Sequence, residues 1–116
     1  MVHGKLANLV PELLLWLIRR RRLYVISGPS MRPTLEPGDR VFLDPRAYAK
    51  RTPEPGEVVL ARHPDQPLEI AKRVSRVDES GVHLVGDNPE QSSDSRSFGP
   101  VQVEALIGRI TVRVGH

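Results

Sequence analysis

Beyond residue 22 the chain sets short runs of alternating apolar and polar residues between clusters of turn formers, the rhythm of β-strands. Six runs read as strands: residues 23–27, 40–44, 57–62, 68–77, 82–86 and 105–114. Breakers divide them, among them Glu36-Pro37-Gly38-Asp39, residues 53–56, residues 63–67 and Glu79-Ser80-Gly81. This spacing predicts a mainly β fold, a small antiparallel coiled sheet or barrel. Residues 87–100 are polar and aperiodic, so a long loop without secondary structure is expected there, and loops of that length are usually functional or mobile. One strand has an odd member. In residues 68–74 strand parity puts Leu68, Ile70, Lys72 and Val74 on one face and Glu69, Ala71 and Arg73 on the other. Lys72 is thus expected to project from an apolar face, where it either snorkels to the edge or is kept for its chemistry.

The N-terminal segment breaks the rhythm. Residues 6–18, LANLVPELLLWLI, are strongly apolar, while Lys5, Asn8, Glu12 and Arg19 fall at helical spacing as a narrow polar stripe. A membrane-spanning helix needs about 20 apolar residues, and this run is shorter and holds Pro11 and Glu12. The pattern predicts one amphipathic helix that either packs on its own domain or lies on a membrane surface through residues 6–22. The division expected is a helix and basic arm at 1–22 and a domain at 23–116. Four consecutive arginines, residues 19–22, follow the apolar run. Basic flanks favour the cytoplasmic side of a membrane, so the domain is expected to be cytoplasmic, peripheral on the inner face; the alternative is a membrane anchor with an exported domain.

Composition narrows the classes. The chain has 116 residues, room for one domain, with 39% hydrophobic and 27% charged residues, ordinary for a globular protein. There is no cysteine, which removes disulfides, thiolate metal sites and a thiol nucleophile together. The net charge of +3 is uneven: residues 1–26 carry +4 and the remainder −1. The body therefore lacks the basic face of a nucleic-acid binder, and no nucleic-acid partner is expected. No group of His, Asp and Glu has metal-ligand spacing, so no metal or cofactor is expected. His3, His63, His83 and His116 show no spacing that suggests a Ser-His-Asp triad.

Three segments carry candidate chemistry: Gly28-Pro29-Ser30-Met31-Arg32-Pro33-Thr34-Leu35, Ala71-Lys72-Arg73-Val74, and Gly86-Asp87-Asn88 with Ser92-Ser93-Asp94-Ser95-Arg96 and Gly99. Together, and in this order, they resemble the nucleophile, lysine and Gly-Asp-Asn boxes of the type I signal peptidases, serine endopeptidases with a Ser/Lys dyad. Gly38-Asp39 also fits the pair that follows the nucleophile box. The resemblance implies Ser30 as nucleophile and Lys72 as general base. Serine needs a base to take its proton, and lysine serves only when neutral, far below its usual pKa of about 10.4. Burial on an apolar face lowers that value, and strand parity predicts such a face for Lys72 independently of any family. By the same resemblance Ser92 would aim the lysine amine, and Asp94 with Arg96 would form a structural ion pair beneath the site. The Ser30 backbone N–H would stabilise the oxyanion, with Gly28 permitting close approach, Met31 beside it, and Ser27 as a weak second donor where some members carry a hydroxyl at position 28. The substrate implied is a precursor whose N-terminal leader binds as an added strand.

Within the family, the arginine run that favours a cytoplasmic domain, the small size, the Gly28-Pro29-Ser30-Met31 start, the turn at Arg62-His63-Pro64 and Gly86-Asp87-Asn88-Pro89 together resemble the nickel-type superoxide dismutase maturation proteases. That subgroup implies a superoxide dismutase precursor as the favoured substrate. The alternative within the family is a general signal peptidase for exported preproteins. A different class is a non-catalytic, basic-armed β-barrel binding module, which would give Ser30 and Lys72 no role.

Overall fold

A computed structural model describes residues 9–17, 20–91 and 94–116. The elements run α1 (Leu9–Leu17), β1 (Arg22–Val25), β2 (Arg40–Asp44), β3 (Val58–Arg62), β4 (Glu69–Asp78), β5 (Gly81–Val85), α2 (Ser95–Phe98) and β6 (Leu106–Gly115). One-turn 3-10 helices occupy Pro89–Gln91 and Val103–Ala105. The fold is mainly β, as the alternation predicts, and each of the six expected strands forms to within about two residues at its ends.

All strand pairs are antiparallel, in the order β1-β2-β6-β3-β4-β5. The sheet is open, with β1 and β5 at its edges. Register shifts in β2–β6, β3–β6 and β4–β5 mark bulges, and bulges bend and coil a sheet. The coiling makes two cores. One gathers Ile26, Met31, Leu35, Val41, Leu43, Val58, Leu60 and Ile110; the other gathers Val59, Ala61, Val74, Val82, Leu84 and Val101. Strand β3 feeds both, Val58 and Leu60 to one side and Val59 and Ala61 to the other. That is why its sequence is an unbroken apolar run rather than an alternation.

The N-terminal helix docks on the sheet. Pro11 stands in its first turn, where a missing N–H costs nothing. Glu12 is buried against the sheet, accepting hydrogen bonds from the Thr111 hydroxyl and from Arg21 Nε, the latter at 2.9 Å. Trp16 stacks on Phe42 with 6.1 Å between ring centroids. The other members of the expected polar stripe, Lys5, Asn8 and Arg19, lie outside the described residues.

The structure corrects the expectation of a structureless loop at 87–100. A 3-10 turn and α2 form there, and α2 is capped by Asp94, whose carboxylate accepts from the Arg96 N–H. Four residues are too few to show a helical period; the cap and tertiary hydrogen bonds make the turn.

Candidate active site

The segment from Gly28 to Leu35 folds as a tight turn between β1 and β2. Gly28 has φ +84°, a left-handed conformation that side chains disfavour, and nothing lies within 4 Å of where its Cβ would stand. The turn closes through Arg32 N–H to Pro29 O (3.1 Å) and Leu35 N–H to Met31 O (3.0 Å). Met31 and Leu35 are fully buried in the first core beside Ile26. These two plugs hold the turn down while Ser30 stays half-buried at its lip. Ser27 is exposed. Its neighbour Tyr24 has a phenol raised above the usual value by burial and then by the Glu69 charge, with a Ser27 hydrogen bond acting the other way.

Lys72 stands in the middle of β4, opposite Val59 in the register and flanked on its face by Ile70 and Val74. Only 3% of it is exposed. Burial lowers its amine below the ordinary value of 10.5; the Asp94 carboxylate opposes that shift and the Arg96 guanidinium reinforces it. The lysine therefore belongs to the interior of the domain rather than to a snorkelling edge.

One polar chain ties the turn to this strand. Asn88 donates its backbone N–H to Ser30 O at 2.8 Å and its side-chain amide to Pro29 O at 3.2 Å. Next to it, Asp87 takes Arg73 in a two-pronged ion pair, Nε to Oδ1 at 2.9 Å and the second guanidinium nitrogen to Oδ2 at 2.8 Å. The same carboxylate accepts the Thr34 hydroxyl at 2.6 Å, and Arg73 also donates to Gly56 O at 2.7 Å. Burial alone would raise the Asp87 carboxyl; the bonds from Arg73 and Thr34 outweigh it and hold the group below its ordinary value. The two ends of the turn that carries Ser30 are thus tied to Asp87 and Asn88, and Asp87 is bonded to the residue adjacent to Lys72.

Asp94 is buried, with its carboxylate bound by Arg96 at 2.9 and 2.6 Å and by the Gly86 N–H at 3.1 Å. Ser95 Oγ accepts the Leu84 N–H at 2.8 Å, so the loop is pinned to β5 at the strand's end. Ser92 lies outside the described residues. Thr34, Arg73, Asp87 and Asn88 were given no role by the sequence, although all four sit inside the three motif segments. Their membership of those segments was the available signal; the contacts themselves span 14 to 59 positions along the chain.

Other polar clusters lead elsewhere. Ser80, His83 and Asp78 meet at the β4–β5 turn, but His83 Nε2 faces both the serine (3.2 Å) and the carboxylate (3.1 and 3.0 Å). A triad needs the two ring nitrogens to face different partners, so this cluster cannot relay a proton. Glu57 is buried among Tyr48, Arg51 and Arg109, a bracing network at the start of β3. Among the described residues no three His, Asp or Glu side chains converge as metal ligands.

Comparison with known proteins adds the following. The sequence profile described as Peptidase S24-like matches residues 15–111. Mitochondrial inner membrane protease subunit 1 of Xenopus tropicalis is 33% identical over 111 residues, covering 78% of this chain and 66% of its own length. The Homo sapiens protein of the same name is 32% identical over 109 residues, covering 76% and 66%. The probable thylakoidal processing peptidase 2 of Arabidopsis thaliana is 24% identical over 133 residues, covering 76% and 36%. The chain thus spans just under two thirds of the length of the mitochondrial relatives.

Proposed function

The chain belongs to the Peptidase S24-like family, and on that footing we propose that it is a serine endopeptidase whose Ser30 and Lys72 form the catalytic dyad of a leader-removing peptidase. Residues 23–116 make the catalytic domain in this reading, and residues 1–22 its helix and basic arm. The observation that carries it is the burial of Lys72, with its amine pushed toward the neutral form, on a strand bonded through Arg73 and Asp87 to the turn that presents Ser30. A binding module with no chemistry at Lys72 would gain nothing from a lysine whose charge is disfavoured by its surroundings.

The reaction follows from those two groups. Neutral Lys72 Nζ takes the Ser30 hydroxyl proton as Oγ bonds the scissile carbonyl carbon, and the carbonyl oxygen becomes the oxyanion. The Ser30 N–H and the open space over Gly28 serve that oxyanion; Ser27 is the second donor considered. Collapse breaks the C–N bond, the new N-terminal amine takes the proton held on Lys72, and the leader stays esterified to Ser30. Water then gives a proton to Lys72 and attacks the ester, and return of the proton to Oγ releases the leader as its carboxylic acid, which ionises to solvent. Ser92 aims the amine, Met31 supports the turn from the core, and Asp94 with Arg96 holds the loop. No cofactor enters the scheme.

The precursor binds as an extended strand. The names of the relatives, protease subunits and processing peptidases, support leader removal. For the substrate itself we favour a nickel-type superoxide dismutase precursor, on the Gly28-Pro29-Ser30-Met31 and Arg62-His63-Pro64 sequences; His63 packs on Phe98 of α2 at 4.7 Å between rings, which links that turn to the site loop. The second reading is a general signal peptidase. Mass spectrometry of protein N-termini in cells with wild type or Ser30→Ala decides between them. One cytosolic precursor keeping its leader supports the dedicated enzyme, many exported ones support the general enzyme, and no change at any N-terminus refutes both. No described helix is long and apolar enough to cross a membrane; the arginines after α1 support peripheral attachment on the cytoplasmic face.

A further inference from the structure

The coiled sheet does not close, and its opening leads to the site. Strand β1 pairs with β2 alone among the described strands, so its outer edge is unpaired. At the other end of the sheet β5 pairs with β4 only from Arg73 to Asp78, while Glu69, Ile70 and Ala71 pair with β3 alone. Strand edges of this kind present unpaired N–H and C=O groups. The two edges approach each other: Tyr24 of β1 and Ala71 of β4 pack on the same core, and the Glu69 charge acts on the Tyr24 phenol. Four antiparallel pairings separate β1 from β4, so the two strands run in the same sense. Both run toward the site, β1 to Ser30 and β4 to Lys72. One extended segment laid in the gap would pair in the same sense with both edges. A segment parallel to them reaches Ser30 by its C-terminal end, the direction a leader takes if it is cut there.

Charge decides which leaders suit this gap. Strand parity puts Glu69 on the face of β4 that Ala71 shares, the side of the first core and of Tyr24. Glu69 is exposed and, among the described residues, enters no ion pair, even with its register partner Arg62. It precedes Lys72 by three residues, about 10 Å of strand. An ammonium or guanidinium group at the matching place on the leader would reach this carboxylate with the Tyr24 phenol beside it, both able to accept its N–H donors. Further out the sign changes, because Arg22 stands two residues before Tyr24 on the same side of β1 and is exposed. We propose that Glu69 is a specificity-determining residue, selecting leaders with a lysine or arginine about three residues before the scissile bond. This rests on the peptidase reading above and names a class of leader within it. An acidic side chain at that position would face a like charge and be rejected.

The test uses the full chain and alanine decapeptides in which one Lys, Gln or Glu is walked along the positions on either side of the bond that mass spectrometry shows to be cut. Lys about three residues before that bond should raise kcat/KM about three- to fivefold over Gln, the size of one exposed charge pair, and Glu should lower it by as much. The preference should fade in high salt and be absent for a charge placed after the bond. Glu69→Gln should bring the Lys-to-Glu ratio close to one, and Glu69→Lys should invert it. Melting temperatures should stay at the wild-type level, because the side chain is exposed. Fluorescence anisotropy of the same peptides, dye-labelled, with Ser30→Ala separates this proposal from the reading it rests on. Lys-selective binding that adding Glu69→Gln abolishes, with no cleavage by the wild type, upholds the charge preference and sinks the peptidase reading. Cleavage blind to charge, a preference unmoved in Glu69→Lys, a preference set by charges after the bond, or neither binding nor cleavage overturns the proposal.

Discussion

Asp87→Ala probes the tie between the nucleophile turn and the lysine strand. It removes three hydrogen bonds at once, one from Thr34 at 2.6 Å and two from Arg73 at 2.9 and 2.8 Å. A hydrogen bond to a charged group contributes about 1.5–3 kcal/mol, but the three are not additive. Arg73 keeps its bond to Gly56 O and its side chain is a quarter exposed, so water replaces part of what is lost. The net cost expected is about 2–4 kcal/mol, or a fall of roughly 10–20 °C in melting temperature for a domain of this size. Asp87→Asn keeps the shape and one acceptor and should cost about half as much. Urea unfolding measures both, with the midpoint shifting and the slope unchanged. Activity separates the structural effect from the positional one. Below its unfolding range Asp87→Ala should lose about a hundredfold in kcat on a leader peptide, because a displacement near 1 Å of a reacting group costs that much. Thr34→Val leaves the Arg73–Asp87 pair intact, so it should lower kcat more than it lowers stability. If Asp87→Ala costs less than about 0.5 kcal/mol, or if kcat stays unchanged in the folded protein, the tie does not set the geometry.

Further predictions concern the site and its pH response. Lys72→Met should lower leader cleavage by at least about 10²–10⁴-fold, yet raise thermal stability at neutral pH. The sign follows from the lowered amine: the folded state disfavours the charged form, so the penalty is full below the folded pKa and vanishes as pH climbs past the ordinary 10.5. Wild-type kcat/KM should correspondingly fall on the acid side, through a pKa below 10.5, in a pH–rate profile. Gly28→Ala places a Cβ at φ +84° in open space; calorimetry should show only the left-handed strain of about 1–2 kcal/mol, with a disproportionate loss of kcat. Asp39, Glu57 and Asp87 would each be raised by burial, but their hydrogen bonds hold them below the ordinary 3.8, 4.5 and 3.8. Their stabilisation is full above those values and lost as pH falls beneath them, so urea midpoints should hold steady at mildly acidic pH and drop steeply below about pH 4.

The strands were legible because alternation is a local property: Arg40 to Asp44 forms β2 where the pattern put it, and Lys72 faces inward as its parity required. The unbroken Val58-Val59-Leu60-Ala61 run was legible as strand but not as the element shared by two cores. Helix α1 was foreseen with both docking and membrane contact left open. Its sense of docking was invisible, because Glu12 is satisfied by Thr111, 99 positions away. The same distance in sequence hid the Thr34–Asp87–Arg73 tie. Helix α2 escaped because a single capped turn has no period to read.

The central claim is that Ser30 attacks with Lys72 as its base, and trapping the covalent step tests it most directly. A leader-derived peptide fluorophosphonate offers an electrophilic phosphorus that a seryl oxygen attacks with loss of fluoride, and intact mass with peptide mapping locates the stable adduct. The account predicts one adduct, on Ser30, formed by the wild type faster as pH rises, at least about a hundredfold slower in Lys72→Met and absent in Ser30→Ala. An adduct on any other residue, or equal rates in wild type and a folded Lys72→Met, would contradict it.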